Sequence, residues 1–372
     1  MKLLFWSCAS LLVFAYSGYP ICMYFRARFW PRPVLRASIY PRVTIVLVVH
    51  NEEKNLPGKL VNLADLDYPA DSLDMIIVSD GSTDETNRIV NSWQKSGRRA
   101  VILPERRGKA NGLNHGMAEA QGEIICFTDA RQRIGSDSLR NLVSNFADPS
   151  VGCASGELVL RDDPKTPSSE GVGLYWRLEK NIRNWEGLAG STVGATGAFY
   201  AVRKDLLSPV PEGAILDDIY IPLQVARKGR RIIFDPRAVV YDDFKPSFKQ
   251  EFRRKVRTLA GTYELLLLAP WVLTNANPLR LRLICHRLLR LLVPFGLMGV
   301  FVSSLWLRQG IYELALVLQL VIYSLAALSM LHVHTGFLSR MSNISLAFIL
   351  LNTAAAVAFV YFITGKKAVW TR

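Results

Sequence analysis

From Leu3 to Phe25 the chain carries no charged side chain. A helix of that length crosses roughly 30 Å of hydrocarbon. A cleaved leader would carry its positive charge in front of the run and a small-residue cleavage site behind it. Here only Lys2 precedes it, while Arg26, Arg28, Arg32 and Arg36 follow. That flank predicts an uncleaved anchor over residues 1–27, with the N-terminus outside and everything after Arg26 in the cytoplasm. A second apolar concentration closes the chain. Within residues 291–372, three further spans are expected, at 291–307, 311–331 and 344–364. Three spans after a cytoplasmic middle would leave Lys366, Lys367 and Arg372 outside, against the positive-inside tendency, unless one segment is re-entrant or interfacial. The expectation is a multi-pass protein of the cell inner (plasma) membrane. A net charge of +14 beside 50% hydrophobic residues argues against a soluble nucleic-acid binder, so no nucleic-acid partner is expected. The five cysteines are scattered without CxxC spacing, which suggests neither a disulfide framework nor a zinc site.

The middle of the chain, 42–243, reads as an α/β domain. Val43 to Val49 is a continuous β-branched run, as in a strand buried on both faces of a parallel sheet. A helix over 53–66, a strand over 75–78, a helix over 85–95 and strands over 100–103 and 123–128 follow. Alternating strands and helices imply βαβ units and a doubly wound, mostly parallel sheet. Residues 244–290 change character. Phe248, Phe252, Val256 and Leu259 recur at helical spacing among Lys249, Arg253, Arg254, Lys255 and Arg257. That pattern suits a helix lying in a membrane interface, or a helix packed on a partner with a solvated basic face.

Ligands of such sheets bind beyond the carboxyl ends of the strands. Those ends read His50-Asn51-Glu52-Glu53, Ser79-Asp80-Gly81-Ser82-Thr83-Asp84 and Thr128-Asp129-Ala130-Arg131. Carboxylates there can accept from a base or ribose and hold a divalent cation against a diphosphate. Each turn alone also serves as a helix cap; three in register point to a nucleotide. No G-x-G-x-x-G or P-loop pattern competes.

Taken in order, Val48-Val-His-Asn-Glu-Glu53, Val78-Ser-Asp-Gly-Ser-Thr-Asp84, Arg107-Gly-Lys-Ala-Asn-Gly-Leu-Asn114, Phe127-Thr-Asp-Ala130, Gly194-Ala-Thr-Gly-Ala198 and Leu216-Asp-Asp218 resemble family 2 glycosyltransferases. The resemblance is to the membrane-embedded bacterial members related to cellulose, hyaluronan and exopolysaccharide synthases. It implies an inverting enzyme with a Rossmann-like GT-A domain, plus transmembrane and interfacial helices. It also implies that His50, Asn51, Glu53 and Asp80 hold the uracil and ribose of a UDP-sugar, and that Lys109 approaches its diphosphate. Asp129 matches the first carboxylate of the family's DxD motif, the ligand of Mg²⁺ or Mn²⁺. Arg131 replaces the second carboxylate; it cannot ligate a metal but could pair with phosphate. Asp218 takes the place of the catalytic base, with Asp217 beside it; both could equally cap the helix that follows.

The same resemblance aligns Arg254-Lys255-Val256-Arg257-Thr258 with the family's Q-x-x-R-W motif. Arg257 takes the diphosphate-contacting position and Arg254 stands where glutamine is usual. Thr258 replaces the tryptophan linked to processive synthesis. Gly194, Thr196 and Gly197 are expected on the acceptor side. Trp176 and Trp185 could stack on sugar rings or pack in a core. The expected function is transfer from a UDP-sugar to a growing extracellular or capsular polysaccharide, possible export included. Single transfer to a polyprenyl-linked acceptor is the second reading, and a membrane receptor for nucleotide sugars or glycans the third. So few spans form a narrow channel, or require a homo-oligomer or an export partner, among membrane lipids.

Overall fold

The computed structural model describes residues 1–160, 169–243, 247–331 and 336–365. The expected anchor is a long helix with two α segments, α1 (Lys2–Val13) and α2 (Tyr19–Phe29), joined by a π-helical turn at Phe14–Gly18. The central domain then runs β1 (Val43–Val49), α3 (Leu56–Ala64), β2 (Leu73–Asp80), α4 (Thr86–Ser92), β3 (Arg98–Leu103), α5 (Lys109–Glu119), β4 (Ile124–Thr128) and β5 (Arg133–Ile134). It continues through α6 (Ser138–Ser144), β6 (Val151–Leu160), α7 (Ser169–Leu188), β7 (Phe199–Arg203), α8 (Asp217–Arg227) and β8 (Arg231–Asp242). After it come α9 (Phe248–Leu268), α10 (Arg280–Leu283), a second π-helical turn at Ile284–Leu288, α11 (Leu289–Leu307), α12 (Ile311–Met330) and α13 (Gly336–Ile363).

The eight strands form one sheet in the order β3-β2-β1-β4-β7-β6-β8-β5. Strands β1 to β4 pair in parallel, β7 runs antiparallel between β4 and β6, and β6 pairs in parallel with β8. The expected mostly parallel sheet is therefore present. Its central strands are apolar on both faces because helices cover both. Ile45, Leu47 and Ile77 face one core with Leu60 and Leu63 of α3, while Val46, Ile76 and Val78 face another with Leu113 of α5 and Leu223 of α8.

Four helices among the described residues are long and apolar enough to cross a membrane: Lys2–Phe29, Arg280–Leu307, Ile311–Met330 and Leu338–Ile363. The chain is built as a membrane protein. Two boundaries differ from expectation. The helix expected from 291 begins at Arg280 and runs through the π turn, taking in residues assigned to the interfacial segment. The last helix begins at Gly336 rather than 344. From Phe252 onward the apolar stripe of α9 is also covered by protein, while Phe248 stays exposed. Val256 and Ala260 pack against Ala354 and Ala358 of α13, with Phe252 and Leu259 alongside. Small residues let two helices approach closely, so this stripe is a helix–helix seam. The basic tail, Lys366, Lys367 and Trp370 to Arg372, lies outside the described residues.

Candidate active site

The carboxyl ends of β1, β2 and β4 meet at one edge of the sheet, and the first two are laced together. Asn51, at φ +54°, receives the backbone N–H of Thr83 on its side-chain oxygen at 2.8 Å. His50 Nδ1 faces the Asp80 carbonyl at 2.7 Å, so its proton sits on Nδ1. The Glu53 N–H donates to Asp84 at 3.2 Å, and the Glu53 carboxylate accepts from the Glu85 N–H at 3.3 Å. Asp80 takes the Arg107 and Gly108 N–H groups on its two oxygens, at 2.9 and 2.7 Å. Gly108 has φ +95°, a turn that favours glycine. Asp80 thereby fixes the start of α5, whose first residue is Lys109.

Lys109 reaches across to the other carboxylates. Its ammonium lies 3.0 Å from Asp129 Oδ1 at the end of β4 and 3.4 Å from Asp217 Oδ2 in the first turn of α8. Those acidic groups hold the ammonium charged, outweighing the burial that opposes it. Asp217 is 4% exposed, and its carboxyl is pushed up to about 6. Burial is the main cause; Lys109 opposes the rise and Asp218 and Asp129 add to it. The Tyr200 hydroxyl is 3.4 Å from Asp217 Oδ2. Neither Asp217 nor Asp218 caps α8 through its side chain, since Leu216 is the N-cap and no side-chain cap bond forms.

Asp218 borders the loop between α7 and β7. The Ala195 N–H donates to the Asp218 carbonyl at 2.7 Å. A Cβ on Gly197 would stand 3.1 Å from Asp218 Oδ2, and one on Gly194 would stand 3.2 Å from the Asp218 carbonyl and 3.6 Å from Arg287 Nη2. The glycines let this loop lie against the carboxylate. Thr196 is held by its N–H on Ser155 Oγ at 2.8 Å and by its hydroxyl, which accepts from Arg183 Nη1 at 2.9 Å.

The basic residues fall elsewhere. Arg131 makes a two-pronged contact with Asp242 at 3.2 and 2.7 Å, so its guanidinium is engaged by a carboxylate of β8. Arg254 pairs with Glu251 at 2.7 Å, and the Thr258 hydroxyl bonds back to the Arg254 carbonyl at 3.0 Å. Arg257 is exposed on α9. Trp176 lies on α7 with the Lys255 ammonium 5.4 Å from its ring centre, a cation–π contact on one face.

Sequence reasoning passed over Lys59. It is 3% exposed and donates to Thr128 Oγ1 and the Gln132 carbonyl, both at 2.8 Å, bracing the segment that carries Asp129. Burial pushes its ammonium down to about 7. The signal was available: Lys59 shares a helical face with Leu56, Leu60 and Leu63, where a solvated lysine has no place.

Residues 44–210 match the sequence profile of glycosyl transferase family 2. They form a family 2 glycosyltransferase domain. Over 241 residues the chain is 26% identical to the probable glycosyltransferase YdaM of Bacillus subtilis (strain 168), covering 61% of this chain and 56% of that protein. It is 25% identical over 241 residues to the poly-beta-1,6-N-acetyl-D-glucosamine synthase of Staphylococcus aureus (strain COL), with shares of 63% and 58%. The chain spans little more than half the length of these curated relatives. Among solved structures, the mannosyltransferase PcManGT from Pyrobaculum calidifontis, in complex with GDP-Man and Mn²⁺, aligns with a TM-score of 0.71 at 24% identity. The alignment covers 98% of this chain and 99% of that one. That likeness shows a GT-A fold for the glycosyltransferase domain, continued into helices at both ends.

Proposed function

We propose that this glycosyltransferase moves a sugar from a UDP-sugar to a hydroxyl of a growing glycan at the cytoplasmic face of the membrane, with inversion at the anomeric carbon. One observation carries the reading. Asp218 packs on the glycine-lined loop at 194–197, and its neighbour Asp217 pairs with Lys109, which also holds Asp129; an acceptor hydroxyl and a donor diphosphate would meet there. Asp218 takes the proton of the attacking hydroxyl as the bond to the diphosphate breaks. Asp217, neutralised in part by Lys109, keeps a second charge from crowding the base. His50, Asn51, Glu53 and Asp80 hold the base and ribose, and Lys109 faces the diphosphate. Gly194, Thr196, Gly197 and Trp176 border the acceptor, while Arg254 and Arg257 carry positive charge on α9.

The donor set fits a divalent cation that draws most of its ligands from substrate and water. Asp129 is a hard oxygen ligand, its side chain 40% exposed at the strand edge. Among the described residues no group of three His, Cys, Asp or Glu could cage an ion without help. Mg²⁺ and Mn²⁺ are commonly held this way, by one or two carboxylates plus phosphates. Such an ion, when bound, neutralises the leaving diphosphate.

For the product, extracellular polysaccharide is the first reading, in line with the named activity of the Staphylococcus relative. Single transfer to a lipid-linked acceptor is the second, favoured by Thr258 and by only four span-capable helices among the described residues. The deciding experiment offers the full chain in nanodiscs a panel of UDP- and GDP-sugars with Mg²⁺ or Mn²⁺. It measures nucleotide release and product length together. A ladder supports polymer synthesis and one addition supports the second reading. Nucleotide binding without transfer from any donor overturns the enzyme in favour of a receptor.

A further inference from the structure

A buried chain of polar contacts links the acceptor-side loop to the membrane helices, and nothing in the chemistry above uses it. Its loop end is the bond from Arg183 Nη1 to Thr196 Oγ1 at 2.9 Å. Thr196 directly precedes Gly197, which packs on the Asp218 carboxylate. One helical turn before Arg183, Glu179 faces the guanidinium at 3.7 Å. Glu179 also accepts from Arg290 Nη1 at 2.7 Å and meets His286 Nε2 at 3.0 Å. The other ring nitrogen of His286 is 2.9 Å from Glu186, which also takes the Tyr19 hydroxyl of α2. His286 is 1% exposed and Glu186 is fully buried. A second grip comes from Arg282, which donates to the carbonyls of Glu186 at 3.0 Å, Ala189 at 2.9 Å and Ser191, where the loop leaves α7.

We propose that Arg183 is a positioning residue for the acceptor-side loop, and that the span-capable helices set its place through Glu179, His286 and Arg290. The loop at 194–197 has little apolar bulk of its own to fix it, being glycine, alanine, threonine and glycine. Its placement therefore falls to directional bonds, and the strongest of these come from charged donors. Arg183 of α7 donates to the loop directly, and Arg282 of α10, His286 of the π turn and Arg290 of α11, where the helix Arg280–Leu307 begins, hold α7 and the carbonyls just after it. The acceptor half of the site, seated on Ser155 and Asp218 of the central domain, is thus also tied through α7 to the span-capable helices, while the donor half is assembled within the sheet. The functional consequence rests on the reading of Asp218 as the base.

The test uses the full chain in nanodiscs, with variants Arg183→Ala, Arg183→Lys, Thr196→Val and His286→Asn. Hydrogen exchange of the 194–197 amides, read without any sugar, is expected to rise roughly tenfold in R183A, T196V and H286N. UDP affinity is expected to stay within about twofold in all of them, because no donor contact changes. With the donor that supports turnover, KM for the acceptor rises while KM for the donor does not. R183K recovers part of the loss, and the R183A/T196V double variant is no worse than either single. Wild-type loop protection in H286N overturns the membrane link; a donor-side KM effect, or additive R183A and T196V, overturns the positioning role. If R183A fails to fold, T196V and H286N still decide between these outcomes. Failure of Asp218 as base would show instead as transfer surviving in D218N, with the exchange results unaffected.

Discussion

Asp217 and Asp218 are adjacent in sequence and face different surroundings. The first is buried against Lys109 and the Tyr200 hydroxyl, and the second lies along the glycine loop with its Oδ2 3.1 Å from where a Gly197 Cβ would stand. A helix start separates neighbouring side chains by about 100°, and here that rotation gives one carboxylate a fixed cation and the other an open flank.

Replacing Asp218 with Asn should remove the proton acceptor and leave the fold. Turnover is expected to fall roughly 10²- to 10⁴-fold with nucleotide affinity unchanged. Steady-state transfer beside a binding isotherm for UDP checks both halves.

A methyl group at Gly197 must displace the Asp218 carboxylate or the loop. The carboxylate must give by only a few tenths of an ångström, so G197A is expected to lower transfer severalfold, less than the roughly 10²-fold that a 1 Å misplacement costs. Thermal stability should change little, and a melting curve run beside the kinetics separates the two effects.

Asp217 gives a pH dependence with a definite sign. Its carboxyl, pushed up to about 6, lies above the ordinary aspartate value of 3.8. Its contribution to stability is therefore full below the lower value and is lost as pH rises through about 6. D217N, which cannot ionise, should gain stability relative to wild type between pH 4 and 7, by up to roughly 3 kcal/mol. Paired melting temperatures across that range test it; a constant offset would rule out a raised carboxyl.

Asp129 is the one carboxylate offered here to a divalent cation. Chelation should weaken nucleotide-sugar binding in the wild type, and D129N should bind weakly with or without Mn²⁺. Calorimetry with and without a chelator measures the difference. A chelator effect that persists in D129N would move the metal elsewhere.

The residues proposed for the donor half were easy to pick out because they sit at strand ends, and strand ends are where a β-branched run stops. Val43 to Val49 announces its own terminus, and His50 to Glu53 follow from it. The GT-A sheet was readable for the same reason. Arg131 was less legible: its partner Asp242 lies 111 residues away, and no local pattern announces such a pair. The α9 stripe shows the same limit. Its periodicity marks an apolar face but does not say whether lipid or Ala354 and Ala358 will cover it. The Arg183–Thr196 bond was invisible because it depends on how the loop after α7 folds back along that helix.

The long-range bonds from Arg282, His286 and Arg290 also bear on the order in which the protein becomes complete. Domains generally form in the order of synthesis. A nascent chain that has emerged through α9 already holds Asp80, Lys109, Asp129, Asp217 and Asp218, all before residue 220. It still lacks Arg282, which donates to the Ala189 and Ser191 carbonyls, and His286 and Arg290, which hold Glu179 of α7. On the proposed reading, the partly made protein can thus fold around a nucleotide before its acceptor side is fastened, and the last ties wait for the span-capable helix Arg280–Leu307 to be made.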